Sequence, residues 1–204
     1  MRKITMAAIA VAAFAFVGTA GAALVPGVFD PGKTGCPVAK AQSGWLHLEK
    51  NCVSTTNASA YAQLNEANGK TFASAAFTLK SASQCQGGSP RFNISTAATT
   101  YFLGCNNVAP VINADGTATY TFTAATIAAG GNQVQVPTGT MTAASVMIDI
   151  QGIADLKNIT LNGIVQRFAA TKTANKSDHR LGELHKHVHH GHHGVKDHHS
   201  DNDD

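Results

Sequence analysis

The chain has 204 residues, of which 44% are hydrophobic and only 13% are charged, and its formal net charge is +3 with neutral histidines. This composition is too apolar for a wholly disordered chain and too poor in Leu, Glu, Lys and Arg for a helical bundle. No basic patch stands out, so nucleic acid is not an expected partner.

Residues 1–22 have the three parts of a secretory signal peptide. Arg2 and Lys3 supply the positive charge, an apolar run of 13 residues covers 6–18, and residues 20–22 read Ala-Gly-Ala, a small-x-small cleavage site. The apolar run is shorter than the roughly 18–20 residues of a spanning helix, which disfavours an uncleaved anchor. We therefore expect cleavage after Ala22, bacterial export to the periplasm or the medium, and no membrane span.

The next segments combine an irregular lead-in with a first strand and a short helix. Residues 23–44 are rich in glycine and proline, which predicts an irregular lead-in. Residues 57–70 are the best helix candidate, with Asn57 or Ser59 as the N-cap. Residues 45–52 have the period-2 pattern of a strand, in which Trp45, His47 and Glu49 alternate with Leu46, Leu48 and Lys50.

Short alternating segments separated by turns then continue as far as Phe168. They predict strands over 72–80, 91–95, 99–105, 117–123, 145–152 and 156–168, with one helical turn over 124–131 and a bend at Gly163. About eight short strands without long helices between them predict an all-β fold. We expect an antiparallel, jelly-roll-like β-sandwich over residues 45–170.

Four cysteines lie in the part of the chain that follows the signal peptide, and an oxidising compartment favours two disulfides. Four cysteines allow three pairings. We favour Cys36–Cys52 and Cys85–Cys105 because each pair closes a short local loop. A zinc site is the alternative, but the sequence has no C-x2-C pair.

Two segments resemble a group of secreted bacterial proteins. The block CQGGSPRFNISTAATTYFLGC, at 85–105, combines a cysteine, a glycine-rich turn, a Ser-Pro-Arg-Phe-Asn strand and an aromatic strand ending in Gly-Cys. The segment LKNITLNG, at 156–163, is similar to the final strand of many jelly-roll modules, although Lys157 stands where Asp is usual. The resemblance is to small secreted bacterial β-sandwich or jelly-roll proteins of unknown function. It covers about residues 45–165 and implies a fold and secretion but no activity.

Nine of the ten histidines lie between His179 and His199. Residues 171–204 contain few apolar side chains, which predicts a disordered His-rich tail. Imidazole is a good ligand for Zn²⁺, Ni²⁺ and Cu²⁺, so we expect the tail to capture divalent transition metals. The expected ligands are His185, His187, His189, His190, His192, His193, His198 and His199.

Two other interpretations of the tail remain open. It could be a solvated segment without a specific role. It could also respond to pH, because 176–204 hold four basic and six acidic residues, so that the net charge changes from −2 to +7 when nine histidines are protonated. Free histidine titrates near about pH 6.5, so such a tail would adhere to anionic cell surfaces in mild acid.

Other residues carry weaker signals for ligand binding. Trp45, the one tryptophan, is expected in the core, with a sugar-stacking platform as the alternative. Arg91 is an ordinary strand residue, or else it pairs with a carboxylate or lines a cleft. These two residues support a second hypothesis, a cell-surface carbohydrate-binding or adhesion module, and a structural matrix protein is a third.

No catalytic motif is apparent in the sequence. It contains no G-x-S-x-G elbow, no H-E-x-x-H and no phosphate loop. We therefore expect a binding protein rather than an enzyme, without a cofactor in the domain.

Overall fold

The computed structural model describes residues 22–131 and 134–168, and most of them lie in β-strands. The one α-helix of this part of the chain, α1 (Ala124–Ala129), is the predicted helical turn, with Thr123 as its N-cap. The strands are β1 (Ala22–Phe29), β2 (Pro37–Gln42), β3 (Trp45–Lys50), β4 (Ser59–Leu64), β5 (Ser74–Leu79), β6 (Arg91–Thr96), β7 (Thr100–Gly104), β8 (Val111–Ile112), β9 (Ala118–Thr123), β10 (Met141–Ile148), β11 (Gly152–Leu161) and β12 (Ile164–Phe168).

All twelve strands belong to one continuous sheet, with the order β7-β6-β10-β4-β1-β12-β11-β5-β9-β8 and with β2 and β3 attached to β11. The sheet curls into a half-barrel and is mixed, because β1 and β12 run parallel while the other pairs are antiparallel. The all-β class is confirmed. The expected antiparallel sandwich of about eight strands is not, because extra strands from the lead-in and the final hairpin join what would be two sheets.

The predicted irregular lead-in, 23–44, is wrong, since it contains β1 and β2. The contacts of Gly27 and Pro26 explain why a glycine and a proline are accommodated in β1. The ring of Tyr61 lies over Gly27, where an added Cβ would come within 2.8 Å of Tyr61 Cζ. Pro26 pairs with β4 on one side of β1. On the other side, β12 pairs with β1 only over Ala22–Leu24, so no neighbouring strand there requires the N–H that proline lacks.

The predicted helix over 57–70 is also wrong, because β4 occupies the middle of this segment. Ala60, Ala62 and Leu64 are almost completely buried and face the core at every second position. The period of 2 therefore prevails over the helical propensity of the alanines.

The final predicted strand, 156–168, is a hairpin rather than a strand with a bend. Asn162 and Gly163 both have positive φ values, 51° and 76°, as the two-residue turn between β11 and β12 requires. The return strand β12 brings the end of the described chain back beside β1.

The two disulfides join Cys36 to Cys52 and Cys85 to Cys105, with Cα–Cα distances of 5.6 and 5.8 Å, so the preferred pairing is confirmed. Local pairing brings each pair of cysteines together, aided for Cys85 and Cys105 by the Gln86–Ser89 bridge and by the hydrogen bond from Cys105 N–H to the Pro90 carbonyl. In the β2–β3 hairpin Pro37 pairs with Lys50, and in the β6–β7 hairpin Arg91 pairs with Gly104.

The core lies inside the curl of the sheet and centres on aromatic rings. Phe77 of β5 lies 5.4 Å from the ring of Phe92, which comes from β6 in the other half of the sheet, and 5.7 Å from Phe122. Tyr120 packs against the same Phe77 ring. The contact between Phe77 and Phe92 therefore joins the two halves across the interior.

Two expectations concern residues that the structure does not describe. The predicted signal peptide, apart from Ala22, and the predicted tail at 171–204 lie outside the described residues. Within 22–131 and 134–168, no helix has the length and apolar character that a bilayer crossing requires.

The position of Phe77 yields a prediction about stability. We expect Phe77→Ala to lower the free energy of unfolding by about 3–5 kcal/mol, because it removes a buried ring that three aromatic neighbours contact. Urea denaturation measures the loss. Phe102→Ala is the matched control, since this ring is 52% exposed and should contribute less than about 1 kcal/mol. Equal losses in the two variants would contradict a core organised around Phe77.

Candidate functional site

None of the eight predicted metal ligands, from His185 to His199, lies among the described residues. Within the part of the chain that is described, no group of three or more His, Cys, Asp or Glu side chains is arranged to hold a metal ion.

His47, the one histidine of the described chain, lies between two carboxylates on the outer face of the sheet. Its Nδ1 lies 2.9 Å from Asp155 Oδ1 on the neighbouring strand β11, and its Nε2 lies 3.4 Å from Glu49 Oε2. Gln84 fixes Asp155, donating through Nε2 to Oδ2 and accepting the backbone N–H at Oε1. Both ring nitrogens therefore face carboxylates, and this network ties β3 to β11.

Trp45 is partly buried on the same outer face and not in the core, where it was expected. Lys157 Nζ lies 4.6 Å from the centroid of its ring. A cation–π contact of this kind covers a face of the indole. This ring face is consequently not open for stacking on a sugar.

Arg91 pairs with a carboxylate, one of the two roles expected for it. Its Nη1 lies 2.7 Å from Asp149 Oδ2, and its Nε donates to Asn93 Oδ1 at 2.9 Å. The guanidinium also lies 4.8 Å from the ring centroid of Phe102. Arg91 belongs to β6 and Trp45 to β3, in different halves of the sheet, so the structure does not bring these two candidates together.

A polar depression of about 440 Å³ lies beside Lys157. Asp115 accepts hydrogen bonds from both the hydroxyl and the backbone N–H of Thr117, and Lys157 Nζ lies 3.6 Å from its Oδ2. The Thr117 hydroxyl is the main cause that lowers the pKa of Asp115 below its ordinary value, followed by the Thr117 N–H and the charge of Lys157. The residues that line this depression are Thr78, Asn113, Ala114, Asp115, Thr117, Thr119, Lys157 and Asn158.

Lys50 is the largest buried polar residue of the described chain, with 1% exposure. Its ammonium group donates three hydrogen bonds to backbone carbonyls, those of Ser54 at 3.0 Å, Thr56 at 2.7 Å and Asp149 at 2.6 Å. Three donors thus meet three acceptors, which offsets the loss of hydration. The sequence carries the signal for this burial, because Lys50 alternates in register with Leu46 and Leu48 on the core-facing side of β3.

Lys50 binds two carbonyls of the loop 51–58, those of Ser54 and Thr56, and the carbonyl of Asp149 directly after β10. It thereby holds the loop against the end of β10. The same loop is attached by the disulfide at Cys52 and by the Ser54 hydroxyl, which accepts the N–H of Gln151 at 3.0 Å. Internal hydrogen bonds from Thr56 N–H and Ala58 N–H shape its turn. The loop is therefore fastened at both ends and in its middle.

This loop forms one wall of a second depression, of about 410 Å³, which we call the Asp149 depression. Phe29 at the end of β1 and the Asp149 carboxylate complete it. Asp149 is fixed by Arg91 and by the Ser89 hydroxyl, which donates at 3.2 Å. The lining residues are Phe29, Ser54, Thr55, Thr56, Asn57, Ala58, Ser59, Met147 and Asp149.

Reasoning from sequence found only Arg91 and Asp149 here, and it considered Asp149 as an exposed strand residue or, with Asp155, a calcium ligand. Phe29 was assigned to an irregular lead-in and Asn57 to Ser59 to the start of a helix, and residues 53–56 were assigned to no element. The signal that could have found the loop is the concentration of small hydroxyl and amide side chains from Ser54 to Ser59, two residues after Cys52.

No protein-family model, curated protein or solved structure matches the chain. The resemblance of 85–105 and 156–163 to secreted bacterial jelly-roll proteins accordingly stays a prediction.

The environment of Lys50 yields a second prediction. We expect Lys50→Met to lower the free energy of unfolding by about 3 kcal/mol, because the variant keeps the volume but leaves three carbonyls without a donor. Urea denaturation measures this loss. In the matched control, Lys80→Met, the lysine is exposed, and its replacement should change stability by less than about 0.5 kcal/mol. A Lys50→Met protein as stable as the control would refute the role of the ammonium group.

A third prediction concerns the ionisation of Asp115. Because its pKa is lowered in the folded state, its contribution to stability is present above about pH 4, the unfolded value, and is lost as the pH falls through the folded pKa. Thr117→Val should raise this pKa more than Lys157→Met does, since the hydroxyl is the larger cause. NMR titration of the side-chain carboxyl signal measures the pKa.

Asp30 provides an internal control for this titration. The N–H of Thr34 is the main cause that lowers the pKa of Asp30, in a separate turn. The pKa of Asp30 should therefore stay the same in both variants. A Thr117→Val protein in which the pKa of Asp115 does not rise would contradict the assignment.

Proposed function

We propose that this protein is an exported binding protein whose His-rich C-terminal segment captures divalent transition metals outside the cytoplasm. The observation that carries the proposal is the concentration of nine of ten histidines between His179 and His199. The β domain is the stable carrier of this segment.

Ligand chemistry supports capture of Zn²⁺, Ni²⁺ or Cu²⁺. Neutral imidazole suits these ions, and the spacing of His185, His187, His189 and His190 puts several imidazoles within a few residues. The nearby carboxylates of Asp201, Asp203 and Asp204 add oxygen ligands or offset the charge of the ion. Because a metal must displace the imidazole proton, binding weakens below about pH 6.5.

Two features of the chain support export. The first 22 residues have the composition of a signal peptide, and the two disulfides fit an oxidising compartment such as the periplasm or the extracellular medium.

Calorimetric titration with Zn²⁺, Ni²⁺ and Cu²⁺ tests the proposal. We expect the mature chain to bind at least one of these ions at pH 7.5, and less well at pH 5.5. Replacement of the eight histidines from His185 to His199 by asparagine should weaken binding by more than about tenfold. A chain that ends at Ala170 should bind metal as weakly as the asparagine variant does. Its domain keeps all of β12, because this strand ends at Phe168.

His47→Asn is the matched control. It removes the one histidine of the described domain, whose ring nitrogens already face the carboxylates of Asp155 and Glu49. This variant should bind metal as the unaltered chain does. Equal binding by the unaltered chain and the asparagine variant, or no binding by either, would disprove capture by the histidine segment.

A further inference from the structure

The Asp149 depression has one apolar wall, formed by Phe29. The ring of Phe29 is 49% exposed at the end of β1, although a phenyl group gains from burial. Phe29 pairs with Ser59 in β4, so it is fixed next to the loop that forms the opposite wall. An exposed ring beside polar groups suits a ligand with one apolar face.

The opposite wall offers free hydrogen-bonding groups. Thr55 and Asn57 are exposed, and within the described chain neither side chain makes a hydrogen bond. Both lie in the segment that Lys50 fastens through the carbonyls of Ser54 and Thr56. A hydroxyl and an amide on a fixed backbone are ready to bind polar groups with little loss of conformational entropy.

The charges around the depression select against an ionic ligand. The Asp149 carboxylate is paired with Arg91, and the Lys50 ammonium uses all three of its protons on carbonyls. The described lining residues include no lysine, arginine or histidine. An anion would find no free cation here, and a cation would have to displace Arg91 from Asp149.

We propose that the Asp149 depression binds one pyranose ring of a neutral glycan, with Phe29 stacking on the apolar face of the sugar. The C–H groups of a pyranose form a flat apolar face, and its hydroxyls lie around the rim. Thr55 and Asn57 bind these hydroxyls, and the fixed Asp149 carboxylate accepts from one of them. A small number of placed polar groups beside an aromatic ring is typical of small-ligand sites.

This site is independent of the proposed metal function. The described residues that line the depression include none of the histidines from His185 to His199 on which the metal proposal rests, and the glycan test below removes metal with EDTA. Failure of metal binding would therefore leave the glycan site untouched, and failure of glycan binding would leave metal capture untouched.

The test titrates the full mature chain with cellotetraose, mannotetraose and the tetramer of N-acetylglucosamine, in EDTA at pH 7.5 so that no metal takes part. Tetragalacturonate is the anionic comparison. We expect at least one neutral tetrasaccharide to bind, and to bind better than tetragalacturonate. Calorimetry measures Kd, and ligand-observed NMR shows which sugar protons contact the protein.

Phe29→Ala should weaken the binding of that tetrasaccharide by about tenfold or more, since it removes the stacking surface. Ile112→Ala is the matched control, because Ile112 is 60% exposed on β8, in the other half of the sheet, and does not line the depression. It should change Kd by less than about twofold. Asn57→Ala, in an exposed loop position, should also weaken binding and decides the outcome if Phe29→Ala does not fold.

Three results would overturn the proposal. The first is no binding of any neutral tetrasaccharide at millimolar concentration. The second is a preference for tetragalacturonate. The third is equal Kd values for the unaltered chain and for the folded variants at Phe29 and Asn57.

Discussion

The contact of the Phe77 ring with the Phe92 ring joins the two halves of a sheet that would otherwise remain open. Phe77 belongs to β5 and Phe92 to β6, which are far apart in the order of strands, and their ring centroids are 5.4 Å apart. Phe122 contacts both rings. Because these rings face each other, the continuous sheet has to curl around them, and the curl determines which side chains point outward.

A buried charge, together with the Cys36–Cys52 disulfide and the Ser54 hydroxyl, holds the loop between β3 and β4 against the end of β10. Lys50 continues the inward row of Leu46 and Leu48, but it reaches past the core and ends on three carbonyls. A leucine at this position would fill space without binding the loop. The ammonium group thus converts the end of a strand into a fixed support for Ser54 to Ser59, and the Asp149 depression depends on that support.

The chain divides its chemistry between two kinds of segment. Around the Asp149 depression, the Asp149 carboxylate is paired with Arg91 and the Lys50 ammonium is bound to three carbonyls. The exposed polar side chains there, Thr55 and Asn57, are a hydroxyl and an amide, which suit an uncharged ligand. The C-terminal sequence instead concentrates imidazoles and carboxylates, which suit metal ions.

Period-2 alternation was enough to predict most strands between 72 and 161, because inward residues such as Phe77, Tyr120 and Val146 are apolar at every second position. The prediction failed for two strands because of their composition. The alanines of β4 favoured a helix, and the proline and glycine of β1 favoured a loop. The Asn162–Gly163 pair did contain the hairpin signal, and its two positive φ angles match it.

The sequence by itself determined the all-β class, both disulfides and the concentration of histidines, because each depends on residue type and on short spacing along the chain. Only the tertiary structure decided that β1 lies between β4 and β12, that the Lys50 ammonium meets the carbonyl of Asp149, and that Phe29 meets the loop after Cys52. These features join residues that are distant in the chain. Pairing across such distances depends on how the whole sheet closes around Phe77, and no local pattern records it.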